Sequence, residues 1–154
     1  MPTPPLRAGQ TAQFFAMRGN KSSRRQLAES HSRKHMMSKL VVLIVEDEPL
    51  LRMDAVDFIE EAGFEVVEAV HAEEAIAILK ARHDIAIVFT DIEMPGSMDG
   101  MKLAHVVRLG WPPILIVVAS GRVMPHEGEL PENVQYIRKP YRAAEVIAAF
   151  RSTA

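Results

Sequence analysis

The sequence has no cysteine, so neither a disulfide framework nor a thiolate metal site can form. No apolar run approaches the ~20 residues that a membrane-spanning helix needs. The N-terminal stretch also lacks the continuous apolar core of a secretory signal. With 154 residues and ordinary charged and apolar content, the chain can build one domain with a complete core. We therefore expect a soluble protein of the cytoplasm.

Charge is divided unevenly along the chain. Residues 1–39 carry eight Lys and Arg against one acid, a net charge of +7, and the remainder carries −9. We interpret residues 1–38 as a basic, disordered tail, because their few apolar side chains cannot offset the cost of ordering the segment. One interpretation of the tail is a basic arm that binds nucleic acid or an acidic surface. The other is a non-native extension. We favour the extension, since Met36 and Met37 directly precede the first predicted strand.

Five short apolar runs alternate with helical patterns between Lys39 and the last residue. This alternation predicts a doubly wound α/β fold with a parallel sheet covered on both faces. The predicted strands are residues 40–45, 64–69, 85–90, 114–119 and 134–137.

Turn and cap residues mark the predicted helices. The first helix begins at Pro49 and stops near Gly63, with Leu50, Met53 and Val56 at helical spacing. The second covers residues 72–82, the third follows an Asp99 cap and stops at Gly110, and the last covers residues 142–151. A fourth helix, between the last two strands, is expected to be short or broken, because residues 121–133 contain two prolines and a glycine.

Charged and hydroxyl side chains follow the ends of several predicted strands. Ligands of such sheets bind at the carboxyl ends of the strands, which brings Glu46, Asp47 and Asp91 together. At ~5 Å and an effective dielectric of about 20, each carboxylate pair repels by about 3 kcal/mol. The cluster therefore needs a counter-charge, and oxygen ligands suit Mg²⁺. Lys139 supplies a second positive charge, and Ser120 offers a hydroxyl donor.

These residues together can carry out phosphoryl transfer. A carboxylate such as Asp91 can act as the nucleophile and become an aspartyl phosphate. A metal ion and Lys139 would neutralise charge on the transferred group. Any one of these acids, taken alone, is better interpreted as a helix cap or a solvated turn. Their joint occurrence after strands one, three, four and five makes that interpretation untenable for the set.

Three motifs give residues 39–154 a close resemblance to the response-regulator receiver domain of bacterial two-component signalling. The motifs are LIVEDEP at 43–49, FTDIEMP at 89–95 and YIRKPY at 136–141. The resemblance implies the flavodoxin-like strand order.

For the site, the resemblance implies that Asp91 is the phosphoacceptor. It implies that Glu46, Asp47, Asp91 and the backbone carbonyl of Glu93 hold Mg²⁺, and that Lys139 binds the phosphoryl group.

The resemblance assigns further roles along the last two strands. Tyr136 matches an aromatic residue that rotates inward on activation, although without the family it would be interpreted as an edge-strand aromatic. The peptide bond between Lys139 and Pro140 is often cis in relatives. Ser120 matches the family's Thr or Ser, unless the motif is aligned so that Ala119 takes that position.

Two details differ from the family pattern or are specific to this chain. The turn at residues 95–100 is one residue longer than the commonest form. Glu93 and Arg122 carry opposite charges near the site, and we hypothesise that they pair across its mouth and limit the entry of water.

The predicted function is that of a stand-alone receiver that accepts a phosphoryl group from a histidine kinase or a histidine phosphotransfer protein. Signalling would follow by phosphotransfer or contact with an unidentified partner, without enzymatic turnover of other substrates and without a DNA-binding domain. One alternative is a receiver-like binding module that works without phosphorylation. Another is a Mg²⁺-dependent phosphatase that uses Asp91 as a transient nucleophile and Glu93 as its acid.

Overall fold

The computed structural model describes residues 38–152, so the predicted basic tail lies outside the described part, apart from Ser38. One parallel sheet of five strands, ordered β2-β1-β3-β4-β5, forms the centre of the described structure. This is the predicted flavodoxin-like order, which is therefore confirmed. The strands are β1 (Val41–Val45), β2 (Glu65–Ala69), β3 (Ile85–Asp91), β4 (Leu115–Ser120) and β5 (Val134–Arg138).

Within residues 38–152, four helices begin and end near the residues that the sequence marks. Pro49 stands in the first turn of the first helix, and Gly63 adopts a positive φ of 97° after its end. His71 and Asp99 cap the next two helices, and the Asp99 side chain accepts from the N–H of Lys102 at 2.9 Å. The helices are α1 (Pro49–Glu61), α2 (Ala72–Ala81), α3 (Gly100–Gly110) and α4 (Ala143–Arg151).

The helices cover the two faces of the sheet in pairs. Buried side chains of α2 and α3 pack with alternate residues of the strands, such as Leu43 and Val88. Helices α1 and α4 pack on the other face, against Ile44 and Phe89. This alternation follows from the twofold period of a strand, and it continues beyond the last core residue of each strand. The position of a side chain at a strand end therefore determines which face of the sheet it lies on.

The segment at residues 121–133, between β4 and β5, contains no helix. Pro125, Gly128 and Pro131 interrupt the hydrogen bonds and backbone angles that a helix there would need. Side chains from α3 and β5 hold the segment: a ring nitrogen of His105 lies 2.7 Å from the carbonyl oxygen of Glu129. The expectation of a short or broken fourth helix is confirmed, since no helix forms at residues 121–133.

Among residues 38–152, no helix has the length and apolar character that crossing a membrane requires.

Candidate functional site

The carboxyl ends of β1, β3 and β5 bring together the charged residues that the sequence singled out. Glu46 follows β1, Asp91 is the last residue of β3, and Lys139 follows β5. One carboxylate oxygen from each of Glu46, Asp47 and Asp91 lies within 4.8 Å of the others. The Nζ atom of Lys139 lies 3.2 Å from Oδ2 of Asp91 and 3.4 Å from Oε2 of Glu46. The predicted convergence of these four residues is therefore present.

Asp91 is a buried carboxylate, with 8% of its surface exposed. Strand alternation directs it to the same face as Phe89, where a small cavity next to Tyr141 borders it. This burial, followed by contact with Glu93, raises the pKa of Asp91 from 3.8 to about 7, against the lowering effect of Lys139. Among residues 38–152, its Oδ1 atom has no hydrogen-bond partner. An unpaired buried oxygen of this kind is available to a cation or to a reacting group.

Glu46 is held by partners on both of its carboxylate oxygens. The N–H of Glu48 donates to Oε1 at 3.0 Å, and Lys139 approaches Oε2. Burial raises the pKa of Glu46, although these two partners oppose that effect. Burial also lowers the pKa of Lys139, but the negative charges of Asp91 and Glu46 outweigh it, so the net direction is upward. Lys139 therefore remains an ammonium group beside the two carboxylates.

Arg52 anchors the backbone that carries the acid pair. Its Nη1 atom donates to the carbonyl oxygen of Glu46 at 2.9 Å, and its Nε atom donates to Glu68 at 3.1 Å. That carbonyl belongs to the peptide linking Glu46 to Asp47, so its orientation helps to set the direction of the Asp47 side chain. Only 17% of the Arg52 side chain is exposed. The sequence motifs do not single out Arg52, although its position one turn into α1 was a usable signal.

Gly100 lets helix α3 approach the Asp91 backbone closely. A Cβ atom at this position would lie 2.0 Å from the Asp91 carbonyl oxygen, far inside van der Waals contact. The N–H of Gly100 also donates to the carbonyl of Ile92 at 3.0 Å. A residue without a side chain is thus required here to fix the loop after β3.

The donor set of Glu46, Asp47 and Asp91 fits a hard divalent cation. All three contribute carboxylate oxygens, and one buried oxygen of Asp91 has no hydrogen-bond partner in the described part of the chain. Mg²⁺ prefers oxygen ligands and commonly binds through one or two carboxylates while keeping several waters. The partly exposed Asp47 leaves a solvent side for such waters. The assignment of the Glu93 carbonyl as a further ligand stays a prediction.

The hypothesised ion pair between the side chains of Glu93 and Arg122 is wrong, because the contact comes from the Arg122 main chain. Within residues 38–152, the Arg122 guanidinium makes no ion pair with Glu93; instead the Arg122 backbone N–H donates to Glu93 Oε1 at 2.8 Å. The Val123 N–H and the Ser120 hydroxyl donate to the same oxygen. The turn after β4 presents its main chain to Glu93, so the carboxylate is satisfied without a guanidinium. Partial burial raises the pKa of Glu93, but hydrogen bonds from Ser120 and others bring it to about 2.

The end of β4 places Ala119 and Ser120 differently. Ala119 pairs in register with Asp91 and lines the cavity beside it. Ser120 is fully buried and directs its hydroxyl to Glu93. Its role as the family's hydroxyl stays a prediction.

The remaining residues that the sequence singled out lie on β5 and just beyond it. The half-buried Tyr136 donates its hydroxyl to the carbonyl of Val123 at 3.0 Å. Its role as a switch stays a prediction. The peptide bond between Lys139 and Pro140 is cis, as the resemblance implied.

Comparison with known proteins identifies the family. The model of the response regulator receiver domain matches residues 42–151, so the chain belongs to this family. The response regulator FleR of Pseudomonas aeruginosa is 35% identical over 109 residues, covering 69% of this chain and 23% of FleR. The transcriptional regulatory protein PdtaR of Mycobacterium tuberculosis is 32% identical over 111 residues, covering 70% of this chain and 53% of PdtaR. The chain thus spans about a quarter of the first relative and about half of the second.

Solved structures agree with this assignment. A receiver protein from Sinorhizobium medicae superimposes with a TM-score of 0.65 at 29% identity, covering 73% of this chain and 92% of that protein. The Vibrio cholerae chemotaxis protein CheY4 gives 0.68 at 21% identity, covering 76% of this chain and all of CheY4. At that identity the second similarity supports the fold alone.

Proposed function

We propose that residues 39–154 act as a phosphoacceptor in two-component signalling, with Asp91 as the residue that is phosphorylated. The observation that carries this proposal is the buried Asp91 carboxylate, 3.2 Å from the Lys139 ammonium and clustered with Glu46 and Asp47. Purely structural packing does not account for three clustered carboxylates, since they repel one another. A phosphoryl group with a cation would use all of them.

The donor would be a phosphohistidine of a histidine kinase or a histidine phosphotransfer protein. An oxygen of Asp91 attacks phosphorus, a P–O bond forms, and the P–N bond to imidazole breaks. The imidazole leaves with the electron pair and takes up a proton, and the product is a mixed anhydride on Asp91. The nucleophile must be ionised, and Lys139 favours that form against the burial that raises the Asp91 pKa to about 7.

Other residues of the chain would stabilise the transferred group. Lys139 would move its ammonium toward phosphoryl oxygens, and Ser120 would donate its hydroxyl to one of them. Mg²⁺ held by Glu46, Asp47, Asp91 and the Glu93 carbonyl would supply positive charge to the phosphoryl oxygens. Output would then pass by phosphotransfer or by contact with a protein partner, with Tyr136 as the switch residue.

Phosphorylation by a small acyl phosphate tests this proposal. The full chain is incubated with acetyl phosphate and Mg²⁺, and the gain of one phosphoryl group is followed by intact mass. The wild type should be labelled with Mg²⁺ and not with a chelator, whereas Asp91→Asn should stay unlabelled. Asp84→Asn is the matched control, because Asp84 lies just before β3, paired with Arg82 at 2.6 Å. Equal labelling of wild type and Asp91→Asn would refute the proposal.

A receiver-like module that works without phosphorylation is the second candidate. The observation in its favour is the absence of a helix from residues 121–133, since this segment joins the site to β5. Such a module would bind its partner equally well as wild type and as Asp91→Asn. A phosphoacceptor would lose its donor-dependent change in binding with that substitution.

A further inference from the structure

Three hydrogen-bond donors at the carboxyl end of β4 converge on one atom, Oε1 of Glu93. They are the hydroxyl of Ser120, the N–H of Arg122 at 2.8 Å and the N–H of Val123 at 3.1 Å. Successive backbone N–H groups aimed at one point form an anion-binding nest. We call these three donors the β4 nest. Its anion in this structure is a side chain of the protein itself.

The β4 nest adjoins Asp91. Glu93 lies two residues after Asp91, and Ala119, the residue before Ser120, pairs in register with Asp91 across β3 and β4. A phosphoryl group on Asp91 would therefore bring a second anion next to Glu93. That group also needs hydrogen-bond donors, and the Ser120 hydroxyl is the side-chain donor of the β4 nest.

We propose that Glu93 competes with a phosphoryl group for the β4 nest. The Glu93 carboxylate accepts the Ser120 hydroxyl until a phosphoryl group on Asp91 replaces it as the acceptor. The inference rests on the proposed function of Asp91 as the phosphoacceptor. On phosphorylation, Ser120 exchanges a carboxylate oxygen for a phosphoryl oxygen, and the N–H groups of Arg122 and Val123 lose their carboxylate partner. Glu93 thus acts as a positioning residue that sets how tightly the phosphorylated state is held.

The nest also connects Asp91 to the segment at residues 121–133. Val123 donates its N–H to Glu93 and accepts the hydroxyl of Tyr136 on its carbonyl at 3.0 Å. Release of Glu93 from the nest would therefore affect Tyr136 through one intervening residue, Val123. The turn itself does not depend on Glu93, because the N–H of Val123 also lies 2.8 Å from the Ser120 oxygen. Removal of the Glu93 side chain should leave the fold intact.

Binding of beryllofluoride with Mg²⁺, a stable mimic of the phosphoryl group, tests the competition. The dissociation constant is measured by fluorine NMR for wild type, Glu93→Ala, Ser120→Ala and the double variant, with thermal unfolding as a check of folding. Glu93→Ala should bind about tenfold more tightly, the equivalent of one charge-assisted hydrogen bond. In the Ser120→Ala background the same change should have little effect, because the contested donor is gone.

Glu73→Ala is the matched control. Glu73 accepts a hydrogen bond at 2.5 Å from Ser97 in the loop after β3, and its loss should leave the beryllofluoride affinity unchanged. A second readout is hydrogen exchange of the Val123 amide, which should speed up in Glu93→Ala and on addition of beryllofluoride to the wild type.

Three outcomes would overturn the competition. Unchanged or weaker binding by Glu93→Ala would do so. So would a gain of equal size in the Ser120→Ala background, since it would show a general charge effect. If neither wild type nor any variant binds beryllofluoride, the proposed function of Asp91 fails and the inference fails with it. Binding by the wild type with no effect of Glu93→Ala removes the inference alone.

Discussion

The ammonium group of Lys139 lies 3.2 Å from Oδ2 of Asp91 and holds a second carboxylate, that of Glu46, at 3.4 Å. It is thus the counter-charge for two buried acids. Lys139→Ala should raise the pKa of Asp91 further above 7, because the effect that opposes burial is removed. Carbon NMR of the Asp91 carboxyl group measures this shift. Lys80→Ala, on α2, should leave the pKa unchanged; an unchanged pKa in Lys139→Ala would contradict the assignment.

Stability should depend on pH through Asp91. Its pKa rises from 3.8 to about 7 in the folded protein, so the folded state binds the proton more tightly. The resulting stabilisation is fully present below pH 3.8 and is lost as the pH rises through 7. Without Mg²⁺, the free energy of unfolding of wild type should fall relative to Asp91→Asn by about 2 kcal/mol between pH 4 and 8, allowing for solvent screening. Urea unfolding measures it, and parallel pH curves would contradict the raised pKa.

Arg52 should support the metal site without touching the metal. Arg52→Ala frees the peptide between Glu46 and Asp47, so Mg²⁺ affinity should fall by about tenfold, as for other residues that orient metal ligands. Isothermal titration calorimetry measures the dissociation constant. Arg82→Ala is the control, because Arg82 also bridges carboxylates, those of Asp84 and Glu65, away from the site. Equal affinities in wild type and Arg52→Ala would rule this role out.

Gly100→Ala should destabilise the fold by about 2–4 kcal/mol, because the new Cβ atom would meet the Asp91 carbonyl oxygen at 2.0 Å. The backbone of α3 or of Asp91 must then shift. Gly110→Ala, at the other end of α3, serves as the control, because a Cβ atom there meets none of the described residues within 4 Å. Chemical denaturation compares the free energies of unfolding of the two variants. Similar values would show that the loop after β3 shifts at little cost in free energy.

The sequence could predict the strands because their apolar, largely β-branched runs are short and end in charged or turn residues. It could not predict which side of α1 packs on the sheet. Leu50 and Met53 repeat at helical spacing, yet they are 75% and 60% exposed, whereas Ala55 and Ile59 are buried. Several apolar stripes fit one helix, and the choice between them is made by the tertiary contacts.

The composition of the site was predictable, but the direction of its side chains was not. Parallel strand ends must meet at one edge, which was sufficient to bring Asp91 and Lys139 together. The partner of Glu93 depends on the backbone conformation of the turn after β4, which no spacing rule contains. Opposite charge suggested Arg122, but the main-chain N–H groups and the Ser120 hydroxyl satisfy the carboxylate instead.

Of the three clustered acids, Asp91 should be the one that receives the phosphoryl group. The most direct test is to phosphorylate the full chain with acetyl phosphate and Mg²⁺, reduce the acyl phosphate with borohydride, and map the reduced residue by peptide mass spectrometry. Reduction is expected at Asp91 alone, and none is expected in Asp91→Asn. Reduction at Asp47 or Glu46 in the wild type, or undiminished reduction in Asp91→Asn, would contradict this expectation.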